Sequence, residues 1–537
     1  MQRIKSIYKY VSSPTSIVLG LSLIILVLSL SIFNHAYSYS SDDVSWQNIL
    51  LTWKPFNGHT VYMGGSDNYV LKIPFFYLFS FLFSPGRTAL FIESVFFAVL
   101  TFIIFYYSAL YFLKKLGIKT TFKNLLPFLW FASFTFAIAK FYLNPILRNF
   151  ELGLAFLYFM LAARYYYDEI NPLRSWVSKI ITILLGAIAG ALVYSDPYFL
   201  YFTVIPIILL FIALYSLKKV SLSKLLVVIG TAVISGIFAV VTSRVVIASG
   251  LHLAFNDPVQ FIPFSQLFAH ISLTIRSILN IMASNFFGNG LHSLATVSSI
   301  LNFSILVFIF YKVLKSSKIK NLSTLNDRLL WSMFFGLLGL FAIAVFALSS
   351  ISVASDPLIY RYLIIMNFSF IVFLAITLGT LKAGKNILAG LIIISILINF
   401  GYTLSLTTKS QQYNIDPYNQ ANFVNFDLIN TIQSLGISKG YVNYWDGDIN
   451  TYLTAGKIQF LPVTCIGNNT KPLDFLVDYN NFSIPAKKSF YIDDRAYTNP
   501  LVCPLNNVLQ QFGQPQRIIK LGVMKILVYN YDIYSRM

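Results

Sequence analysis

Residues 180–217 read IITILLGAIAGALVYSDPYFLYFTVIPIILLFIALYSL, a run whose only charged side chain is Asp196. Hydrocarbon offers no partner to an open backbone, so a run of this kind crosses it only as helix. About 20 residues suffice for one crossing. Ser195-Asp196-Pro197-Tyr198 therefore splits the run into a helical hairpin, because Asp-Pro starts turns readily. The same reading extends along the chain as far as Tyr402 and predicts an α-helical polytopic membrane protein.

Spans are expected at roughly 15–34, 89–113, 124–143, 150–167, 178–195, 198–217, 224–248, 293–314, 328–350, 362–381 and 386–402, about eleven in all. The first follows Arg3, Lys5 and Lys9, and no small-x-small cleavage site closes it, so it reads as an uncleaved span and not a signal peptide. With the N-terminus inside, the inner loops hold twenty lysines and arginines. The outer loops hold only Lys54, Lys72, Arg87, Arg148, Arg244, Arg276 and Arg361. This asymmetry predicts a multi-pass plasma-membrane protein with a cytoplasmic N-terminus and an extracytoplasmic C-terminal domain.

Composition agrees. Of the 537 residues 57% are hydrophobic and 11% charged, which excludes an ordinary soluble domain. The net charge of +19 lies mostly in alternating short loops, whereas a nucleic-acid binder gathers charge on one solvated face. No nucleic-acid partner is expected.

Two domains follow: a transmembrane domain over 1–402, with long outer loops at about 35–88 and 249–292, and a soluble domain over 403–537. Residues 69–83 suit an interfacial or re-entrant helix. The tail reads as small α/β: a helix over 422–435 ending at Gly436, strands at 441–445, 458–463 and 489–492, a helix over 504–512, and a hairpin of 517–521 with 524–530 around Gly522. Cys465 and Cys503 both lie there; a disulfide is permitted outside the cytoplasm, and two small buried thiols fit the sequence equally well.

The residues with chemistry gather in the outer loops. Asp42-Asp43 follows the first span, where a carboxylate can take a proton from an incoming hydroxyl; Ser41-Asp42-Asp43 is equally a good helix start. Asp67 lies in a glycine-rich turn and lines the same cavity on a functional reading. Arg148 and Glu151, three apart, share a helix face and make either a structural ion pair or, for the arginine, a phosphate ligand. Asp196 and Asp356 are turn residues or cavity-lining acids at the same level. Arg361-Tyr362 begins an inward span, as an interfacial anchor or as a cation for a lipid phosphate. Asp446-Gly447-Asp448 formally matches a metal–nucleotide-sugar motif, but its place beside a helix start favours capping. No metal site or cofactor is expected, and no Walker, Rossmann or serine-triad motif occurs.

Taken together, the first span with Asp42-Asp43 beyond it, Asn68-Tyr69-Val70-Leu71-Lys72-Ile73-Pro74, Arg361-Tyr362, and the tail stretches 440–448 and 453–456 resemble the GT-C class of integral-membrane glycosyltransferases. That class contains protein O-mannosyltransferases and bacterial aminoarabinose transferase. The resemblance implies a polyprenyl-phosphate sugar donor and a saccharide, lipid or protein acceptor. It maps the first-loop aspartate onto Asp42 or Asp43 and the late phosphate-binding arginine onto Arg361. The strict Asp-Glu pair of the protein O-mannosyltransferases is missing. The expected activity is inverting transfer of a sugar to an extracytoplasmic hydroxyl, with Arg148 and Tyr362 assisting at the donor phosphate. The competing expectations are a transporter or flippase of lipid-linked saccharides and a non-catalytic scaffold.

Overall fold

The structure, a computed structural model, describes residues 13–36, 39, 41–58, 60–63, 70–133, 135–144, 148–170, 174–253, 260–287, 290, 293–316, 326–350, 359–381, 384–413, 426–494 and 503–537. The bundle runs α1 (Pro14–Ala36), α2 (Ser41–Thr52), β1 (Val61–Met63), α3 (Ile73–Leu82), α4 (Arg87–Lys115), α5 (Phe122–Ser133), α6 (Ala139–Leu143) and α7 (Asn149–Tyr166). It continues with α8 (Trp176–Ser195), α9 (Ile205–Ser216), α10 (Leu222–Ala248), β2 (Leu251–Leu253), α11 (Leu267–Ile281), α12 (Leu294–Ser316), α13 (Asp327–Leu348), α14 (Ile364–Thr380) and α15 (Lys385–Tyr413).

Seven of these helices are long and apolar enough to cross a membrane, and eight crossings result if α5 and α6, bent by 45°, count as one. Leu200–Ser216 and Ile364–Thr380 are apolar but shorter. Pro127 inside α5 removes one ladder bond about two turns before the bend. The expected interfacial segment is indeed helical: a short 3-10 turn leads into α3, whose Phe81 is 88% exposed.

Phenylalanines fill the centre of the bundle. Phe105 of α4 meets Phe156 of α7 at 4.9 Å and Phe368 of α14 at 4.7 Å between ring centres, edge to face. α8 and α10 approach so closely that a Cβ on Gly186 would stand against Ile234, and one on Gly190 against the Ser235 carbonyl. This small-xxx-small spacing lets the two backbones touch.

A second, uncharged link joins α5, α12 and α15. Trp130 Nε1 donates to Asn302 Oδ1 at 3.0 Å and to Ser395 Oγ at 2.9 Å, while Asn399 Nδ2 donates to Ser133 Oγ at 3.0 Å. Ser298 Oγ donates to Asn399 Oδ1 at 2.5 Å. All of these side chains are buried.

The tail comprises α16 (Phe426–Ser434), β3 (Lys439–Val442), α17 (Tyr444–Leu453), β4 (Gln459–Ile466), β5 (Asn469–Pro472), β6 (Val477–Asp478), α18 (Asn480–Ser483), β7 (Ser489–Asp494), α19 (Leu505–Phe512), β8 (Arg517–Leu521) and β9 (Met524–Tyr529). Six strands form one sheet in the order β5-β4-β3-β7-β9-β8, with β3 parallel to β4 and β7 and the remaining pairs antiparallel. Strand alternation gives the sheet two cores. Val442, Phe460, Phe490 and Val528 pack with α16; Tyr441, Leu461, Tyr491 and Leu527 pack with α19. Gly436, at φ +65°, ends α16 as expected.

One expectation for the tail changes, and one open alternative is resolved. The strand expected over 441–445 stops at Val442, because Asn443 caps α17: its side chain accepts from the Trp445 and Asp446 N–H groups. Cys465 and Cys503 form a disulfide across 38 residues, joining β4 to the segment before α19.

A three-stranded sheet, ordered β2-β1-β6, ties the parts together. Val61 pairs Leu251 in parallel and Asp478 antiparallel, so both long loops and the tail meet at one end of the bundle. The short basic loops meet at the other. There Glu169 takes Lys115 and Arg164, Lys224 takes Asp168 at 2.9 Å, and Arg328 Nε donates to the Leu116 carbonyl at 2.8 Å.

Replacing Asn399 by Leu leaves Asn302, Ser133 and Ser298 short of partners. The expected cost is about 1–3 kcal/mol, read as a lowered thermal midpoint of the full chain in detergent, with little change for Asn386→Leu at the exposed edge.

Candidate functional site

α2 carries the first acidic pair and starts at Ser41, as Ser-Asp-Asp predicts. Asp42 lies in this helix, but its side chain falls outside the described residues. Asp43 is buried, and Gln47, one turn on, shares its face. Gln47 Nε2 donates to Glu93 Oε2 at 2.8 Å. The other oxygen of Glu93 has no hydrogen-bond partner among the described residues. Tyr39 stands beside Asp43, Arg87, Ser94 and Glu93. Burial, and next the Asp43 carboxylate, push its phenol above the ordinary range, with Arg87 opposing.

Lys72 continues this polar band. Its ammonium, fully buried, is 3.1 Å from Glu151, close enough to Glu93 to interact electrostatically, and 5.3 Å from the centre of the Phe97 ring. Glu151 lies in the first turn of α7, where a negative charge also suits the helix dipole. One turn earlier, Arg148 pairs with Asp196 at the end of α8, both almost wholly buried. The expected Arg148–Glu151 pair is therefore corrected. Each residue has a closer partner contributed by another element, because α7 meets the segment before α3 on one side and the α8 end on the other.

Asp196 Oδ1 accepts from the Tyr198 N–H at 2.9 Å, so the turn expected there is present and also serves the ion pair. The Arg148 guanidinium lies 4.9 Å from the Tyr198 ring centre and 4.7 Å from that of Tyr362. Tyr198 hydroxyl donates to the Tyr362 carbonyl at 3.0 Å. Arg361 lies 5.0 Å from the centre of the same Tyr362 ring and donates to its hydroxyl at 3.1 Å. Arg148, Asp196, Arg361 and Tyr362 thus gather in one cluster. Asp43 sits in the other half of the band, on α2. Asp67 and Asp356 lie outside the described residues.

The tail covers α2. Ser41 Oγ donates to the Trp445 carbonyl at 3.0 Å and accepts from the Asp448 N–H at 3.1 Å. Asn48 donates to Asp448 Oδ1 at 2.7 Å, and Thr52 to Asp478 at 3.0 Å. Asp448 thus fastens the tail to α2, while Asp446 belongs to the cap of α17. Burial, then the neighbouring Asp494, hold the Asp446 carboxyl well above the usual carboxylate range. Among the described residues no three His, Cys, Asp or Glu side chains converge as metal ligands would.

Sequence reasoning gave no role to Glu93, Gln47 or Tyr198, and it noted Lys72 only as part of the stretch 68–74. Glu93 carried a signal, an acid inside an otherwise apolar span. Gln47 and Tyr198 carried none, since their roles come from partners distant in sequence. Comparison with family models, with characterised proteins and with solved structures finds no match to this chain.

Two expectations follow. Lys72→Met strands the Glu151 charge and costs about 3–5 kcal/mol, whereas Lys72→Met with Glu151→Met restores most of that loss; thermal midpoints of the four variants in one cycle read the difference. For Asp446, the folded protein keeps a proton that the unfolded chain releases near pH ~4. Its contribution to stability is full below that pH and falls as pH climbs through the raised folded value, so Asp446→Asn should flatten the midpoint-versus-pH curve of the full chain across that window.

Proposed function

We propose that this protein is an integral-membrane glycosyltransferase that moves a sugar from a polyprenyl-phosphate donor to an acceptor hydroxyl on the extracytoplasmic side. The observation that carries the reading is the polar band at one end of the bundle, with buried Asp43 on α2 in one half and half-buried Arg361 with Tyr362 in the other. Charges are kept at such depth in an apolar bundle for function more often than for stability. The resemblance to the GT-C class assigns these two positions the roles of base and phosphate ligand.

In this reading eleven crossings form from the seven long helices, the bent α5–α6 pair, α7, Leu200–Ser216 and Ile364–Thr380. The meeting of both long loops with the tail agrees with one common face for them. The disulfide suits an oxidising compartment, and the basic loops at the other end suit the cytoplasm.

The donor phosphate binds Arg361, whose planar fork matches phosphate oxygens. Arg148, already committed to Asp196, acts through Tyr362 as a positioning residue and not as a direct ligand. Asp43, or Asp42 beside it, accepts the proton of the acceptor hydroxyl as its oxygen bonds to the anomeric carbon. The bond from that carbon to the phosphate oxygen breaks, and the phosphate leaves with the electron pair. One displacement inverts the anomeric configuration. The second reading, a transporter of lipid-linked saccharides, draws on the depth of Lys72, Glu93 and Glu151, since coupling ions are carried past such groups.

The test is transfer from radiolabelled polyprenyl-phosphate sugars by the purified full chain in vesicles. Asp43→Asn is expected to lower the rate at least ~100-fold, and Arg361→Gln by a similar factor of about 100. Full activity in both Asp42→Asn and Asp43→Asn rejects the base, and uptake without transfer rejects the enzyme.

A further inference from the structure

The end of the bundle away from the polar band holds a cavity of about 350 Å3, between the end of α7, the segment before α8 and the first turn of α10. Asp168, Arg174, Lys219, Ser221, Ser223 and Lys224 supply its polar lining. α7 spans the gap between the two sites, and its 18 residues set them roughly 27 Å apart. A ligand here is therefore not the one that reacts at the band.

We propose that this cavity is an anion site that takes the phosphate of a phospholipid headgroup. Charge is the first reason. Among the lining residues Arg174, Lys219 and Lys224 outnumber the single acid, Asp168, which pairs with Lys224 at 2.9 Å. Lys224 is held in place by that acid and by the Tyr166 carbonyl at 2.8 Å, which fixes its ammonium at the wall. The Ser221 and Ser223 hydroxyls, 2.8 Å from each other, add donors suited to phosphate oxygens.

Shape is the second reason. The wall is rigid where it is buried: Tyr165 and Thr182 share a 2.5 Å hydrogen bond, and Ile170 and Val220 are almost fully covered. Two residues beyond Arg174 of the lining, Trp176 is 71% exposed at the start of α8. A free phosphate has no use for an exposed indole there, whereas a lipid surface does. Tryptophan at a helix end beside an arginine also marks headgroup depth. Basic pockets between membrane helices are suited to anionic headgroups for these combined reasons.

The acid at the rim gives the proposal a directional test. Asp168 adopts a left-handed backbone, φ +59°, that asparagine tolerates equally well, and its side chain is 64% exposed. Asp168→Asn therefore removes a negative charge at a backbone conformation it can keep, leaves Lys224 its bond to the Tyr166 carbonyl, and should tighten anion binding.

The full-length protein would be reconstituted in nanodiscs of phosphatidylglycerol and phosphatidylcholine, and the lipid retained after exchange into detergent counted by native mass spectrometry. Wild type is expected to retain phosphatidylglycerol in preference. Arg174→Gln should lower that retention about tenfold, Arg174→Lys should recover part of it, and Asp168→Asn should raise it. Lys114→Gln, at the same end but outside the cavity, should match wild type. Equal retention by wild type, Arg174→Gln and Asp168→Asn overturns the site. An equal loss in Lys114→Gln and Arg174→Gln also overturns it, in favour of general surface charge. Complete displacement by millimolar inorganic phosphate overturns the lipid assignment and makes the ligand a soluble phosphate.

Discussion

An ionised side chain inside an apolar bundle persists only where a partner of opposite sign meets it, and α7 is built around that requirement. Its first turn and cap supply both Glu151 and Arg148. Each is answered from a different direction, by Lys72 ahead of α3 and by Asp196 at the end of α8. The two pairs fix where three separate stretches of chain must stand. Removing one member would leave a bare charge in a medium that cannot solvate it, a far larger cost than losing a surface pair. Stability and placement of the site are thus the same physical fact here. The uncharged Trp130–Asn302–Asn399 network does comparable work among α5, α12 and α15 without the penalty of desolvating an ion.

The soluble tail is joined to this arrangement through α2. That helix turns one face, with Asp43 and Gln47, toward the bundle and offers Ser41, Asn48 and Thr52 to the tail. A helix hydrogen-bonded to a body on each side couples the position of one to the other. Movement of the tail on its sheet would be felt first at the residues flanking Asp43.

The large features were legible because long apolar runs leave the backbone little choice but helix. The helix break at Asp196-Pro197, the basic loops and the helical segment near Pro74 all follow from length, charge and turn chemistry. Tail strands β7, β8 and β9 were legible from alternation and from Gly522. What escaped was whatever depends on partners far apart in sequence. Arg148 and Glu151 look paired at a spacing of three, yet packing gave each a nearer opposite charge. β1 and β2, three residues each, are too short to carry a period. The strand expected through Trp445 failed for a local reason, since Asn443 followed by Asp446 at N3 is a cap signature that outweighs the aromatic residues before it. Of the two fates open to the cysteines, the fold decided, by bringing the start of α19 against β4.

The small sheet β2-β1-β6 has a consequence for how the molecule is made. Its central strand is synthesised early, one neighbour comes after α10, and the other only within the tail. Until then Val61–Met63 presents an unpaired edge, and no local contact can stand in for the missing strands. The sheet therefore closes only once the tail has begun, as a clasp on the bundle, and a chain that stopped short of Val477 would lack the antiparallel partner of β1.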